Sequence, residues 1–489
     1  MDRFRELTWC VLHHFGVRTA LGASRDVKCL FAQRFFRLFG YGATFLILVQ
    51  FLASIGTSDG LAGLFMTLTM LGDAFISFVL VLITDKFGRR RILALGAILM
   101  TASGVAFASS STYWVLLLAS MIGVISPSGN EIGPFRAVEE SILSQLTEKD
   151  DRSDIFAWYT MCGTAGAALG TITSGWIVQT LSKNTSAGGQ AKGYRVIFIL
   201  YAALGIVKLL LVLTLSSEVE LQVQEYEYVE VLELDAEDLQ SPASSPRNSV
   251  EDRPPSSAHL NDAQQQQVSK SSRRDMSDRL RTLLPQISRQ SLLILSRLIV
   301  LFALDSFASG MASPSWLTYF FTTFHNVEPA TLGTLFFTTN ILATLSNFAA
   351  LPLARRLGPL KTMTFTHLPS AIFLALIPVP NAGSWGTSAS MALLSLRACT
   401  QSMDQAPRQA FLAAVMKPEE RTAILGVINI AKTLSQAGGL GSAGMLAATK
   451  SWRLMLGSAG LMKALYDILI LWTFLGVPDR EDDREVRER

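Results

Sequence analysis

Six ionisable side chains lie inside long apolar stretches of this 489-residue sequence, where charged groups are rare. They are Asp73, Glu131, Arg136, Asp305, Arg397 and Asp404, and Asn340 adds a neutral amide in the same kind of setting. A charged side chain at the centre of a lipid bilayer costs at least ~2.5–3.5 kcal/mol, so such groups need partners or a water-filled cavity. Buried carboxylates can carry protons, and a buried arginine can bind an anionic or hydroxyl-rich solute. We therefore take these seven residues as candidates for one solute and proton cavity.

Two of the acids, Asp73 and Asp305, lie near the middle of their apolar stretches. An acid that is buried without a cation can be neutralised, which a proton carrier requires. The structural alternative is an acid that accepts hydrogen bonds from a neighbouring helix. We favour the proton-carrying interpretation for Asp305 and leave both interpretations open for Asp73.

For several charged residues in or near the apolar stretches we also predict structural roles. Arg397 and Asp404 are seven residues apart, so they share one helix face but stand roughly 10 Å apart along it. Arg34, Arg37 and Arg297 lie near the inner ends of the first and seventh apolar stretches, and we expect them to reach the lipid headgroups, with a role in the cavity as the alternative. Lys463 and Asp467 are spaced to neutralise each other on one helix.

The composition places most of the chain in a lipid bilayer. Hydrophobic residues make up 49% and charged residues only 17%, whereas soluble proteins carry roughly 25% charged residues. Apolar runs of about 20 residues, each long enough to span a bilayer as a helix, recur about twelve times. The net charge of +3 and the four scattered cysteines indicate no nucleic-acid partner, metal site or disulfide framework. We predict an all-α polytopic membrane protein without cofactors.

Loop charges predict the orientation. Lys86 and its neighbouring arginines occupy one set of loops, while most loops of the other set contain no Lys or Arg. Because basic residues are retained inside, both termini are predicted to be cytoplasmic. Asn184 begins a glycosylation sequon in an outside loop. We expect the plasma membrane rather than the vacuolar or another internal membrane.

Repeated motifs divide the chain into two similar halves. Glu131-x-x-Pro134 recurs as Asp404-x-x-Pro407, at a constant offset of 273 residues. Such spacing indicates a duplicated six-helix unit. The predicted domains are a cytoplasmic tail at 1–29, six-helix bundles at 30–216 and 288–478, a disordered cytoplasmic linker at 217–287 and a tail at 479–489. The linker is rich in Ser, Pro, Gln and charged residues, which disfavour a packed core.

The segment Asp-Lys-Phe-Gly-Arg-Arg at residues 85–90 resembles the signature loop of major facilitator superfamily transporters, although the subfamily is not identifiable. The resemblance implies two pseudo-symmetric six-helix bundles that rock around a central cavity, with the seven candidate residues on spans around it. It also implies a cytoplasmic latch in which Arg89 reaches Glu139 or Glu140. The latch residues are Asp85, Lys86, Gly88, Arg89, Arg90, Glu139 and Glu140.

Three functions follow as hypotheses, none of them enzymatic. The first is a secondary active transporter of a small polar organic solute, coupled to protons, because no nucleotide-binding Gly-rich loop supplies another energy source. The second is a proton antiporter that exports drugs or secondary metabolites, although the Gly-Pro pair of many such antiporters is absent from the fifth span. The third is a solute sensor that signals through the linker without transport. We expect a monomer whose partners are the bilayer, protons and a small-molecule solute.

Overall fold

Helices account for nearly all of the described chain, in agreement with the predicted all-α membrane fold. The computed structural model describes residues 17–123, 125, 134–148, 151–184, 189–220, 289–416 and 420–475. Within those ranges it leaves aside the side chains of residues 81–83, 85, 86, 134, 184, 289, 290, 348, 351, 355, 413, 422 and 423. The predicted linker beyond residue 220 and candidate residue Glu131 lie outside the described residues.

The amino-terminal half contains six spans, and the first and fourth of these each consist of two helices. In chain order they are Arg25–Phe45 with Leu48–Ser54, Asp59–Phe87, Arg89–Ser109, Tyr113–Ile122 with Pro134–Leu146, Arg152–Asn184 and Gly189–Leu213. A short helix, Val17–Gly22, precedes them within the predicted tail. The first span begins earlier than predicted because Ser24 is its N-cap, with its Oγ accepting a hydrogen bond from the amide of Val27 at 3.4 Å.

The carboxy-terminal half repeats this arrangement, and its first and fourth spans are again helix pairs. The seventh to twelfth spans are Arg289–Met311 with Pro314–Thr323, Pro329–Leu357, Pro359–Leu376, Ser384–Gln401 with Gln405–Val415, Arg421–Ala448 and Trp452–Phe474. Breaks therefore fall in corresponding spans of the two halves. This is the structural form of the sequence repeat.

Hydropathy separates the described helices into two groups. Six helical segments are long and apolar enough to cross a membrane, and the first span, whose two helices meet at 46°, makes a seventh. The eighth and eleventh spans are comparably long, at 29 and 28 residues. Polar side chains such as Asn340 and Lys432 reduce the hydropathy of these two spans, so their length rather than their composition identifies them as membrane-crossing.

Helix packing confirms two pseudo-symmetric bundles. The first span packs on the fifth and the third on the sixth, just as the seventh packs on the eleventh and the ninth on the twelfth. The second span contacts the fourth, and the eighth contacts the tenth. The bundles meet where the fifth span packs on the eighth and the second on the eleventh. A central space is thus bounded by equivalent spans of both halves.

Glycines allow the two bundles to approach closely at one end. A Cβ atom on Gly63 would lie 2.8 Å from the Cα of Gly444, and one on Gly175 would lie 3.0 Å from the Cα of Gly333. Small residues permit such backbone contact between membrane helices. We call this end, which carries loop residues 55–58 and 324–328, the closed end. The opposite end, which carries Gly88, is the basic-loop end.

Two further predicted boundaries differ from the structure. The apolar run of the fourth span ends near Phe135, but its second helix continues to Leu146 as an amphipathic helix whose buried face is apolar apart from Glu139. The polar tract predicted from residue 217 begins with a 3-10 turn, Ser217–Val219, whose Val219 is buried. Both segments carry charges that make them look like loops in a hydropathy pattern, yet their polar groups are satisfied by the first bundle.

Candidate functional site

A cavity of about 200 Å³ lies between the two bundles. Residues of the first and fifth spans line one side, and residues of the seventh, eighth and tenth spans line the other. Its polar lining consists of Tyr41, Thr339, Asn340, Arg397 and Gln401. Asn340 and Arg397 are therefore the two predicted site residues that the structure brings together at this cavity. We call it the central cavity.

Arg397 is the cationic group of the central cavity. Its Nε atom is buried without a hydrogen-bond partner, and no described carboxylate contacts its guanidinium. Asn340 uses its Nδ2 to donate to the carbonyl of Phe336 at 2.8 Å, which leaves its Oδ1 as an acceptor. The cavity thus combines one unpaired positive charge with a neutral amide oxygen.

Apolar side chains form the remainder of the cavity wall. Leu38 and Phe45 come from the first span, and Leu317 and Phe336 come from the opposite half. The rings of Phe45 and Phe336 meet edge to face across the two bundles, with centroids 5.6 Å apart. Because both residues lie nearer to the closed end than Tyr41 and Asn340 do along their helices, this pair separates the cavity from that end.

Asp305 does not lie at the central cavity but inside the second bundle. Lys463 Nζ donates to Asp305 Oδ1 at 2.6 Å, and Arg408 Nη1 donates to Asp305 Oδ2 at 3.4 Å. Lys463 also donates to Ser309 Oγ at 2.7 Å. The expectation that Asp305 is an acid without a cation is therefore wrong, because the twelfth and tenth spans turn two cations toward it.

Asp404 also pairs within the second bundle. It lies in the turn between the two helices of the tenth span, and its Oδ2 accepts a hydrogen bond from Arg408 one helical turn later. The Arg408 guanidinium further lies 5.6 Å from the ring centre of Phe302 and 5.7 Å from that of Tyr466. Sequence reasoning missed Arg408, although its spacing of four residues from Asp404 was a usable signal.

Lys463 and Asp467 do not neutralise each other as predicted. Asp467 instead contacts His367 of the ninth span, with both carboxylate oxygens 2.9 Å from the ring Nδ1. Lys463 points to Asp305 of the seventh span. Each charge of this predicted pair thus finds a partner on a different helix. Helix packing rather than local spacing selects these partners.

The first bundle contains its own buried ionic cluster. Arg37 Nη1 and Nη2 donate to the two carboxylate oxygens of Glu139 at 2.7 and 2.6 Å, and the Tyr159 hydroxyl donates to Glu139 Oε2 at 2.6 Å. Arg34 lies 4.5 Å from the ring centre of Tyr159. Arg34 and Arg37 are only 5% and 2% exposed, so the prediction that they reach the headgroups is wrong. Glu139 on the fourth span offers Arg37 a better partner.

The remaining predicted acids and cations are dispersed. Asp73 lies in the second span beside Gly72, which packs against Met121, and no described cation contacts it. Arg136 Nε donates to Glu140 at 2.6 Å, in a half-exposed pair on the fourth span. The structure thus does not bring Asp73 or Arg136 to the central cavity. Glu131 lies outside the described residues.

The basic loop binds the end of the first bundle. Arg89 donates from Nη1 to Gln145 Oε1 at 2.7 Å and from Nη2 to Ser141 Oγ at 2.9 Å. The predicted contact of Arg89 with Glu139 or Glu140 is therefore wrong, because those acids already pair with Arg37 and Arg136. The side chains of Asp85 and Lys86 lie outside the described residues.

Glu220 caps the third span at the basic-loop end. Its carboxylate accepts from the backbone amides of Arg89 at 2.7 Å and Arg90 at 3.2 Å, the first amides of that helix. Gly88 precedes them with a φ of +91°, and a Cβ there would lie 3.1 Å from the Glu220 carboxylate. The positive φ therefore favours glycine at this position, and a Cβ atom would also require the Glu220 carboxylate to shift by a few tenths of an ångström. Sequence reasoning missed Glu220, because it lies 131 residues from Arg89 along the chain and no local pattern connects the two residues.

Polar contacts join the two halves at the closed end. The Tyr319 hydroxyl donates to Asp59 Oδ1 at 2.7 Å, and Lys450 Nζ donates to Asp59 Oδ2 at 3.2 Å. On the other side, Gln179 accepts from the amide of Ala330 at 2.8 Å and donates to Glu328 at 2.5 Å. These contacts cross from the first half to the second, so they seal the central cavity from this end.

Comparisons with known proteins agree with this architecture. A family model described as the Major Facilitator Superfamily matches residues 30–249 and 298–489. An uncharacterized membrane protein of Saccharomyces cerevisiae, YJR124C, is 32% identical over 459 residues, which cover 93% of this chain and 95% of that protein. Multidrug resistance protein MdtH of Yersinia enterocolitica is 25% identical over 134 residues, 27% of this chain and 32% of that one.

Solved structures share the fold. A D-xylose-proton symporter superimposes with a TM-score of 0.63 at 16% identity, covering 93% of this chain and 98% of that one. The nucleoside transporter NupG superimposes with a TM-score of 0.61 at 14% identity, covering 92% and 98%. The family model matches well over half of the chain, and the yeast relative is similar almost throughout. This chain therefore belongs to the Major Facilitator Superfamily.

Proposed function

We propose that this protein is a secondary active transporter that moves a small polar organic solute by alternating access. The central cavity between the halves is the observation that carries the proposal. It presents Asn340 and Arg397 to a solute, and polar contacts between the halves seal it at the closed end. Alternating access requires those contacts to break whenever the closed end opens.

We propose that protons drive this transport. One proton moving down ~150 mV supplies about 3.4 kcal/mol, enough for roughly 300-fold accumulation of solute. Asp305 and Asp404 each form ion pairs with cations of their own bundle. Asp73 contacts no described cation. We therefore move the role of candidate proton carrier from Asp305 to Asp73.

Flux in proteoliposomes tests both parts of the proposal. We expect the intact protein to transport a solute faster under an imposed pH gradient, and Asp73→Asn to abolish that acceleration while leaving solute exchange measurable. Asp305→Asn should instead lower the yield and thermal stability of the protein, because it leaves Lys463 and Arg408 with one acid fewer. Flux that ignores the pH gradient in the wild-type protein would overturn proton coupling.

Export of drugs or secondary metabolites is the second candidate. The partial similarity to a protein named for multidrug resistance and the apolar wall formed by Phe45 and Phe336 favour it. Pockets for drug-sized molecules measure roughly 300–1,000 Å³, whereas the central cavity measures about 200 Å³. The smaller solute is therefore favoured. Resistance of cells that overproduce the chain to several unrelated toxins would reverse this order.

The sensor hypothesis depends on the linker, which lies outside the described residues beyond residue 220. Deletion of residues 236–269 tests it, and we expect transport to survive the deletion. We also propose that both termini are cytoplasmic, that the closed end faces outside, that the protein is a plasma-membrane monomer and that Asn184 carries a glycan. Loss of a glycosidase-sensitive mass difference in Asn184→Gln checks the orientation.

A further inference from the structure

We propose that the transported solute is a small organic monoanion whose carboxylate binds Arg397, an inference that rests on the transport function proposed above. The central cavity, rather than the ionic cluster next to it, is the proposed binding site. The chemistry of recognition is a guanidinium–carboxylate pair inside an otherwise largely apolar wall.

The charges around Arg397 do not balance. Among the described residues of the second bundle, the charged side chains that interact with one another near the central cavity are four cations and three carboxylates. The cations are Arg397, Arg408, Lys432 and Lys463, and the carboxylates are Asp305, Asp404 and Asp467. The three carboxylates already contact Lys463, Arg408 and His367. If Asp305 or Asp404 turned to Arg397 instead, Lys463 or Arg408 would lose a carboxylate partner. Arg397 and Lys432 are thus the two cations of this set without a contact to a described carboxylate, and of the two only Arg397 lines the central cavity.

An unpaired guanidinium in this position calls for an anion. Its Nε is buried, so water does not fully replace a partner, and a buried charge without a partner is costly. A guanidinium presents parallel N–H groups that match the two oxygens of a carboxylate. Arg397 is the one charged side chain among the described residues that line the cavity, which favours a monoanion, because a second negative charge on the solute would be left unpaired.

The rest of the cavity defines the body of the solute. Leu38, Phe45, Leu317 and Phe336 favour carbon and hydrogen rather than a sugar-like surface. Asn340 Oδ1 and the side chain of Gln401 offer hydrogen bonds to one or two hydroxyl groups. A volume of about 200 Å³ limits the solute to a size below that of common drugs. A short or aromatic monocarboxylate fits these conditions.

Calorimetric binding to the purified full-length protein tests the inference with matched pairs of probes. Benzoate is compared with its neutral amide benzamide, L-lactate with L-lactamide, and inorganic phosphate serves as an anion without a carbon body. We expect at least one carboxylate to bind at least about tenfold more tightly than its amide, since a hydrogen bond to a charged group is worth about that much. Phosphate that binds as tightly as that carboxylate would overturn the carboxylate assignment.

Variants locate the binding. Arg397→Gln should weaken carboxylate binding at least about tenfold without changing the affinity for the amide, and Arg397→Lys should recover part of the loss. Arg297→Gln, on an exposed arginine of the seventh span, is the matched control and should bind as the wild type does. If Arg397→Gln fails to fold, the carboxylate-to-amide ratio of the wild-type protein still decides the matter. Equal affinity for acid and amide would overturn the inference.

Flux measurements separate this inference from the function on which it rests. Flux of a sugar or nucleoside, with no binding of any carboxylate probe, would overturn the inference and leave the transport function. Arg397-dependent carboxylate binding without flux in proteoliposomes would support the site and overturn transport. Binding and flux of the same monocarboxylate, both lost in Arg397→Gln, would support the two together.

Discussion

Glu139 and Arg408 carry opposite charges, and each lies in the second helix of its span, Glu139 in the fourth span and Arg408 in the tenth. Each pairs with the first span of its own half: Glu139 with Arg37 at 2.6 Å and Arg408 with Asp305 at 3.4 Å. The duplicated halves thus keep an ionic connection between the same two spans while exchanging the signs of its members. Such connections favour the movement of each bundle as one body, with the changes confined to the contacts between bundles.

Removal of Glu139 should destabilise the first bundle. Glu139→Gln leaves the buried Arg37 without its carboxylate, and breaking a buried ion pair costs about 3–5 kcal/mol. Glu140→Gln is the matched control on the same helix, because the Arg136–Glu140 pair is half exposed and such pairs contribute about 0.3–0.5 kcal/mol. Thermal unfolding in detergent measures both. A comparable loss in the two variants would contradict the structural role of Arg37 and Glu139.

Removal of the Tyr319 hydroxyl should open the closed end. Tyr319→Phe deletes a hydrogen bond to the Asp59 carboxylate that joins the two halves, worth about 1.5–3 kcal/mol. A cysteine placed at Phe45, in a chain lacking its four native cysteines, should then react at least about tenfold faster with an impermeant thiol reagent added outside.

Tyr113→Phe is the control for that experiment. The Tyr113 hydroxyl donates to the carbonyl of Leu61 within the first half, so its loss should not change labelling at residue 45. Unchanged labelling in Tyr319→Phe as well would mean that this contact does not hold the closed end together.

Removal of the Glu220 carboxylate charge should loosen the start of the third span. Glu220→Gln weakens the cap on the amides of Arg89 and Arg90 and removes a negative charge from a helix N-terminus, together worth about 1–2 kcal/mol. Hydrogen exchange at those amides should become faster by roughly tenfold. Glu218→Gln, two residues earlier, should leave exchange unchanged. Identical exchange in both variants would exclude the cap.

Low pH should destabilise the closed end through His325. Burial lowers the pKa of His325 below its usual value of 6.5, so the unfolded chain binds this proton more readily than the folded one. Stability then rises with pH where the unfolded state holds more protons, and it falls as pH drops below about 6.5. Thermal unfolding between pH 5 and 8 should show a smaller pH dependence for His325→Gln. A steeper dependence in the variant would reverse the assignment.

Much of the fold could be predicted because its signals are local. Bilayer-length apolar runs, the basic loop before Arg89 and the Glu131/Asp404 repeat each depend on a few neighbouring residues. The fourth span shows where this fails: its second helix, Pro134–Leu146, buries an apolar face with Glu139 and leaves Arg136 and Glu140 half-exposed. A hydropathy pattern averages all three charges with their neighbours, so it ends the span too soon.

The candidate site was predictable only in part. Asn340 and Arg397 do line the central cavity, but Asp305 and Asp404 turn toward cations of their own bundle. The prediction did not include Arg408, which pairs with Asp305 and Asp404. It also did not include Glu220, which caps the third span. Successive residues of a helix point in different directions around its axis. A small rotation of the helix about that axis therefore turns a carboxylate from the cavity toward a neighbouring span.

Apolar length and loop charge act residue by residue along the chain, and they were enough to establish a duplicated helical membrane protein. The partner of each buried charge could not be predicted from these local properties. Lys463 has a carboxylate four residues away at Asp467 but binds Asp305, 158 residues distant. That choice depends on how three helices rotate and pack together, so it emerges only when the bundle is assembled.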